Sequence, residues 1–333
     1  MRILVTGGAG FIGSNLLLHL HEKYEDYSFL NVDKLTYASN PEYLKPLEGS
    51  SRYQFSKTDI INREAVRSVI RDFRPDGIIH LAAESHVDNS IKGPEPFVMS
   101  NVVGTFNLLE ECRLFWMESE KDFKQFRFHH VSTDEVYGTL GDTGLFSETT
   151  PYAPNSPYSA SKAGSDFLVR AYHHTYGMNV VTTNCSNNYG PHQHDEKLIP
   201  TVIRTALKKQ PIPVYGKGEN IRDWLFVRDH CKAIDMVYQE GRSGETYNVG
   251  GRNEWKNIDL VNEICSILNE LTGEGPEGDY KKLITFVTDR PGHDLRYAID
   301  ATKLENELGW QNTQDFRRDL METVKWYTEK YKG

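Results

Sequence analysis

Two short stretches hold the residue types that can do chemistry. One is Thr133-Asp134-Glu135-Val136-Tyr137-Gly138, the other Tyr158-Ser159-Ala160-Ser161-Lys162. A tyrosine and a lysine four residues apart on a helix share a face. A phenolate placed there can take the proton of a substrate hydroxyl as hydride leaves the same carbon. The lysine ammonium is expected to lower the Tyr158 pKa, and the Thr133 hydroxyl can bond the same substrate oxygen. Asp134 and Glu135 add what a simple redox site lacks. Elimination next to a new ketone needs a base for the alpha proton and an acid for the leaving hydroxyl. Two neighbouring carboxyl groups can serve if their pKa values separate. The combination points to oxidation, loss of water and reduction in one site. The plain alternatives are a surface Tyr-Lys pair and two loop carboxylates facing water.

These groups need a frame that brings them to one edge. Arg2 to Thr6 reads as a buried strand, followed by Gly7-Gly8-Ala9-Gly10-Phe11-Ile12-Gly13 and by helical apolar spacing at Leu16, Leu17 and Leu20. Further strands are expected at 29–32, 53–55, 77–81, 126–132 and 179–183, with helices at 63–73, 98–119 and 157–176. This alternation predicts an α/β fold: a Rossmann-type doubly wound parallel sheet. Past Asn188 the pattern loosens, with helices at 197–209, 226–240, 257–270 and 316–331 and extended pieces at 212–215 and 246–249. A smaller mixed α/β C-terminal lobe is expected. The division is placed at 1–187 and 188–333, with part of 225–250 rejoining the first unit.

Glycines at 7, 10 and 13 between a strand and a helix let backbone N–H groups approach a pyrophosphate. Gly7, Gly10, Phe11, Ile12 and Gly13 are therefore cofactor candidates. Asp33 closes the second strand, where a carboxylate takes the ribose diol and repels a 2′-phosphate, which favours NAD over NADP. Lys34 could partly offset that repulsion. Thr36 is placed in the same site. Asp59 and Ile60 are candidates near the adenine, with Asp59 as a helix N-cap the equal alternative. Ala82, Ala83 and Ser85 should line the crevice after the fourth strand.

The chain has 333 residues and a formal charge of −9, which argues against a nucleic-acid-binding surface. No apolar run approaches the roughly 20 residues of a membrane span. The sequence enters a strand at once, with no signal peptide ahead, and its four cysteines stand far apart in apolar contexts. A cytoplasmic protein is expected. His192, His194 and Asp195 invite a metal assignment, but the proposed chemistry needs none and no metal is expected.

On these motifs the chain resembles the dTDP-glucose 4,6-dehydratases of the extended short-chain dehydrogenase/reductase superfamily, from the Gly7 loop to Arg290-Pro291-Gly292-His293-Asp294. The Thr-Asp-Glu-Val-Tyr-Gly stretch is the specific marker, since related epimerases usually have small residues at 134 and 135. The resemblance implies that Tyr158 deprotonates the glucose 4-hydroxyl, Glu135 removes the C5 proton and Asp134 protonates the departing 6-hydroxyl, with NAD regenerated in place. It implies that Lys162 holds the nicotinamide ribose. It places Ser85, His86, Thr133, Asn187, Asn188, Lys197, Leu198, Pro213, Tyr215, Arg222, Asn257, Arg290 and His293 against the substrate. In that set Tyr215 lies near the base, and Arg222 and Arg290 lie at the diphosphate. Helix N-capping by Asn257 and a surface ion pair for Arg290 remain open. The family commonly has arginine where this chain has Asn89, and an aromatic residue and a proline where it has His194 and Asp195. A homodimer through helices 98–119 and 157–176 is implied, as is a product feeding rhamnose or another deoxysugar. UDP-, CDP- or GDP-sugar dehydration and nucleotide-sugar epimerisation are the enzymatic alternatives. A non-catalytic nucleotide-binding protein is the other class.

Overall fold

The computed structural model describes residues 1–273, 275–289, 293–313 and 315–332. Its strands are β1 (Arg2–Thr6), β2 (Ser28–Asp33), β3 (Tyr53–Lys57), β4 (Gly77–His80), β5 (Arg127–Thr133), β6 (Val180–Cys185), β7 (Asn187–Tyr189), β8 (Ile212–Tyr215), β9 (Ile221–Phe226), β10 (Thr246–Val249), β11 (Glu254–Lys256) and β12 (Ile284–Val287). Seven of them form one sheet in the order β10-β6-β5-β4-β1-β2-β3, and every pairing in it is parallel. Parallel strands covered on both faces need near-continuous apolar runs. Ile3-Leu4-Val5 of β1 and Ile78-Ile79 of β4 supply them, each at 1% exposure or less.

One face of the sheet packs against helices Arg63–Phe73, Thr105–Met117 and Pro157–Tyr176 through Ile70, Leu108, Trp116 and Val169. The other packs against Phe11–Lys23 and Val227–Glu240 through Leu16, Leu20, Val227 and Ile234. The chain runs β1-β2-β3 outward, then crosses back to place β4 on the other side of β1. That reversal opens a crevice beyond the carboxyl ends of β1 and β4, the usual ligand position in such sheets. Gly7 follows β1 there, and Thr133 ends β5 two strands away.

A separate core lies under the C-terminal segments, where Ile203, Ile264, Leu268 and Val324 join helices Leu198–Leu207, Asn257–Thr272 and Phe316–Lys332. Above it stand a three-stranded sheet, β11-β9-β7, and the parallel pair β12-β8. Helix Val227–Glu240 and β10 return to the large sheet. Among the described residues no helix is long and apolar enough to cross a membrane.

The segment expected as one helix over 98–119 is two pieces. Val98–Gly104 is a π-helical turn and Thr105–Met117 an α-helix. The widened turn carries Asn101, whose carboxamide accepts from Glu84 N at 2.8 Å and donates to Glu84 O at 3.0 Å. Strands β7, β9 and β11 were not expected. Trp224, Leu225 and Phe226 of β9 are all buried, so no period-2 alternation marks that strand in the sequence.

Candidate active site

The glycine loop is shaped for close backbone approach. Gly7 has φ +71°, and a Cβ on it would stand 2.7 Å from Ala82 N. A Cβ on Gly13 would collide with the Gly7 carbonyl. Helix Phe11–Lys23 starts from Gly10 with no side-chain cap, so its first N–H groups face the crevice. Asp33 sits opposite, its Oδ2 accepting from Ala9 N at 3.0 Å. Its Oδ1 accepts from Leu35 N at 2.8 Å and Ser39 Oγ at 3.0 Å. The carboxylate thus ties the glycine loop to the loop after β2. Lys34 pairs with Glu84 at 3.1 Å, so its charge is already matched and does little to offset repulsion of a 2′-phosphate. The glycine cradle, the uncapped helix and Asp33 together fit a dinucleotide without a 2′-phosphate.

A cleft of about 310 Å³ runs from this loop to the end of β5. Gly7, Gly10, Phe11, Ile12, Gly13, Asp33, Lys34, Thr36, Ile60, Ala82, Ala83 and Ser85 line it, together with Thr133, Asp134, Glu135, Tyr158, Lys162, Asn187, Asn188 and Lys197. Asp59 is not in the lining. Its Oδ1 accepts from Ile61 N at 3.0 Å, while Asn62 caps helix Arg63–Phe73 by accepting from Ala65 N. Sequence reasoning missed Ser39, Thr58, Gln193, His194 and Glu196 in the wall. Gln193 donates to Asn188 O at 2.8 Å and keeps its buried Oε1 unpartnered.

Helix Pro157–Tyr176 is sharply started. Ser156 accepts from Ser159 N, Ser159 bonds back to Ser156 N, and Pro157 fills the first turn. Tyr158 and Lys162 follow on its buried face, at 8% and 4% exposure. Lys162 Nζ donates to Val131 O at 2.9 Å. The Tyr158 phenol hydrogen-bonds the Thr133 side chain. The expectation that Lys162 lowers the Tyr158 pKa is corrected here. Burial pushes Tyr158 well above its ordinary value and Glu135 adds to that, with Thr133 opposing. The ammonium is turned to a main-chain carbonyl, and its own pKa is lowered by burial, against the pull of Asp166.

Thr133 also caps the short turn Asp134–Tyr137 by accepting from Glu135 N at 3.3 Å. Asp134 is 2% exposed, and its Oδ2 has no partner. Burial raises its pKa well above the carboxylate range, with Glu135 and Asp223 adding to the rise. Burial therefore favours the neutral, proton-bearing form of Asp134. Glu135 is less buried, beside Tyr158.

The two departures from the family pattern sit at the cleft mouth. Asn89 donates to the Tyr37 hydroxyl at 3.2 Å, and Tyr37 donates to Glu196 at 3.5 Å. His194 meets Tyr37 edge-on at 5.4 Å. His86 caps helix Val87–Lys92 by accepting from Asn89 N and lies 3.8 Å from Glu196. Asp195 faces away, accepting from Lys330 at 2.9 Å and Tyr331 at 2.6 Å. His192 stacks on Tyr43 at 4.0 Å and bonds Ser14. Among the described residues no His, Cys, Asp and Glu group of three or more is set to hold a metal.

Several of the substrate candidates lie outside the cleft lining. Leu198 begins the helix after Lys197, and Lys197 itself donates to Ser85 O at 3.3 Å. Pro213 and Tyr215 are on β8, with Tyr215 edge-on to His293 at 6.3 Å. His293 bonds Asp289 at 2.7 Å. Arg222 lies over the Tyr297 ring at 4.2 Å and donates to the carbonyls of Ile221, Asp294 and Leu295. Asn257 is the first helical residue rather than the cap, which is Lys256, and its buried Oδ1 is unpartnered. Arg290 lies outside the described residues.

A sequence model of the GDP-mannose 4,6 dehydratase family matches residues 4–323. A probable dTDP-glucose 4,6-dehydratase of Sinorhizobium fredii is 57% identical over 330 residues, covering 99% of this chain and 93% of the relative. A crystal structure of dTDP-glucose 4,6-dehydratase from Bacillus anthracis in complex with NAD superposes with a TM-score of 0.88. It is 45% identical and covers 100% of this chain and 98% of its own. A UDP-glucose 4-epimerase of Thermus thermophilus in complex with NAD reaches 0.85 over 98% of this chain and 99% of its own, at 27% identity. The parallel sheet, the glycine loop at its switch point and the buried Tyr-Lys pair define an extended short-chain dehydrogenase/reductase. Within that class the chain belongs to the dTDP-glucose 4,6-dehydratase family.

Proposed function

We propose that this chain converts dTDP-glucose to dTDP-4-dehydro-6-deoxyglucose and water, with NAD in the glycine-loop cleft. The observation that carries the reading is Asp134, a buried carboxyl whose burial favours its neutral form, next to Glu135 in the same cleft as Tyr158. Gly7 to Gly13 would hold the pyrophosphate, Asp33 the adenosine ribose and Lys162 the nicotinamide ribose. When bound, NAD accepts the C4 hydride and returns it to C6. Ionised Tyr158 takes the 4-hydroxyl proton while Thr133 bonds that oxygen, so the phenol, which burial favours in its neutral form, must first give up its own proton. Glu135 removes the C5 proton made acidic by the 4-keto group, and Asp134 gives its proton to the departing 6-hydroxyl. After reduction at C6, Glu135 returns a proton to C5. Ser85, His86, Asn187, Asn188, Lys197, Leu198, Pro213, Tyr215, Arg222, Asn257, Arg290 and His293 are assigned to the nucleotide sugar.

We assign residues 1–187 with part of 225–250 to cofactor binding and most of 188–333 to substrate binding. The location assigned is the cytoplasm. The assembly assigned is a homodimer, supported by Val98, Phe167 and Tyr176, large apolar side chains about half exposed on the two expected helices. A monomer mass by light scattering would refute it.

The test is mass spectrometry of the NAD-loaded protein incubated separately with dTDP-glucose and UDP-glucose. Loss of one water from dTDP-glucose, without net release of NADH, is expected. Loss from UDP-glucose alone would overturn the base, and a mass-neutral conversion would make the chain an epimerase.

A further inference from the structure

Residues 190–197 join β7 to helix Leu198–Leu207, and their side chains divide between two sides of the chain. Gln193, His194, Glu196 and Lys197 line the cofactor cleft. His192 and Asp195 face the other way. His192 has φ +76°, in the left-handed region that non-glycine residues seldom enter. Such a conformation persists where its surroundings fix it. Here the ring stacks on Tyr43 at 4.0 Å and bonds Ser14 Oγ at 3.0 Å, on the helix that follows the glycine loop. Asn15 of that helix donates to Pro191 O at 3.0 Å, and the Tyr327 hydroxyl donates to Gln193 O.

Asp195 is the outer anchor of the segment. Its Oδ1 accepts from Lys330 Nζ at 2.9 Å and from the Tyr331 hydroxyl at 2.6 Å, both on helix Phe316–Lys332. Its main-chain carbonyl accepts from Thr201 Oγ1 at 2.8 Å. A proline, which the family pattern puts at this place, has no side-chain acceptor to offer. On the inner side the segment reaches both loops that frame the cleft. Lys197 Nζ donates to Ser85 O at 3.3 Å, after β4. Glu196 accepts from the Tyr37 hydroxyl at 3.5 Å, after β2, and lies 3.8 Å from His86. His194 meets Tyr37 edge-on at 5.4 Å, and Asn89 donates to the Tyr37 oxygen at 3.2 Å. These inner contacts are long or exposed, so each is weak by itself. The outer bonds are shorter and charge-assisted, and they hold the segment within reach of both loops.

We propose that Asp195 is a positioning residue for the cofactor: by tying residues 190–197 to the C-terminal helix it keeps the cleft closed and sets how slowly NAD leaves. This rests on the assignment of NAD to the glycine-loop cleft and on the one-site cycle above. In that cycle the hydride taken from C4 is returned at C6, so the chain must hold its cofactor through both steps. Asp195 acts through Gln193, Glu196 and Lys197 and touches neither substrate nor cofactor.

The experiment is a chase. Protein loaded with isotopically labelled NAD is mixed with excess unlabelled NAD, without substrate, and the bound label is followed over time. Asp195→Ala should release NAD about fivefold or more faster, the effect of one or two lost hydrogen bonds. Tyr331→Phe acts in the same direction and adds less in the Asp195→Ala background than alone, because the two groups form one contact. Tyr37→Phe, on the inner side and 55% exposed, speeds release without lowering the melting temperature. A role confined to fastening the C-terminal helix predicts that Asp195→Ala melts earlier yet releases NAD at the unaltered rate, and that result overturns the proposal. Unaltered release in Tyr37→Phe overturns it too, since the inner contacts would then not hold the cleft. So does an unaltered protein that loses its label on gel filtration. If Asp195→Ala does not fold, the Tyr331→Phe and Tyr37→Phe rates decide. The reaction assignment is read separately: with dTDP-glucose present, no loss of water from the unaltered protein removes that assignment, while the substrate-free release rates still decide the part played by Asp195.

Discussion

Asp134 and Glu135 are adjacent in the chain yet sit in different environments, and that difference is what separates an acid from a base. Asp134 is buried within electrostatic reach of Asp223 and Arg222, while Glu135 is only half-buried in the same cleft. Asp134→Asn keeps the shape and removes the proton. We expect dTDP-glucose still to reduce the cofactor, while water loss slows by about 10²–10⁴-fold, the usual range for one acid–base group. Stopped-flow absorbance and product mass spectrometry read the two steps separately; equal slowing of both would contradict the assignment. The sequence made this pair, the Tyr-Lys pair and the glycine loop legible because each is a local pattern. It misjudged the Tyr158 pKa, because the sign there is set by burial and by Glu135 rather than by the helix neighbour. It missed Gln193, whose surroundings are built from distant segments.

At the scale of elements, the strand-loop-helix unit from Arg2 to Lys23 depends on glycine where no side chain fits. Gly13→Ala would push a methyl group into the Gly7 carbonyl. It should cost about 1–3 kcal/mol as an overpacked site and should abolish NAD retention. Thermal melting with and without added NAD checks this; a variant that still melts later with NAD would refute the loop's assigned role. The long helices and central strands were readable from their apolar spacing, and the Ser156 and Gly177 caps of the longest helix agree with that reading. The three strands of the smaller sheet were not, since β7 and β11 are three residues each and β9 is buried throughout. The turn at 98–104 was also hidden, because helical periodicity does not register one widened turn.

Across the whole molecule, polar burial ties stability to pH. His80, His129, His130 and His230 are all at 1% exposure or less. Each is held below its ordinary pKa, His230 at about 3. The unfolded chain binds protons at these sites below about 6.5 while the folded chain does not, so stability falls as pH drops through that value. Asp134, Asp166 and Asp223 act in the opposite sense, taking protons in the folded state above the ordinary carboxylate range and offsetting part of the loss. With His21 and His192 also held low and Asp319 also raised, six imidazoles stand against four carboxyls among the described residues, which predicts a melting temperature that declines from pH 7 toward 5; calorimetry showing a rise instead would refute this balance.

The reaction is one cycle in one site, with hydride leaving C4 and returning at C6. The direct measurement is mass spectrometry and NMR of the product from dTDP-glucose carrying deuterium at C4. The product should be lighter by one water, with the deuterium on C6. Deuterium still at C4, or exchanged into solvent, would rule this cycle out.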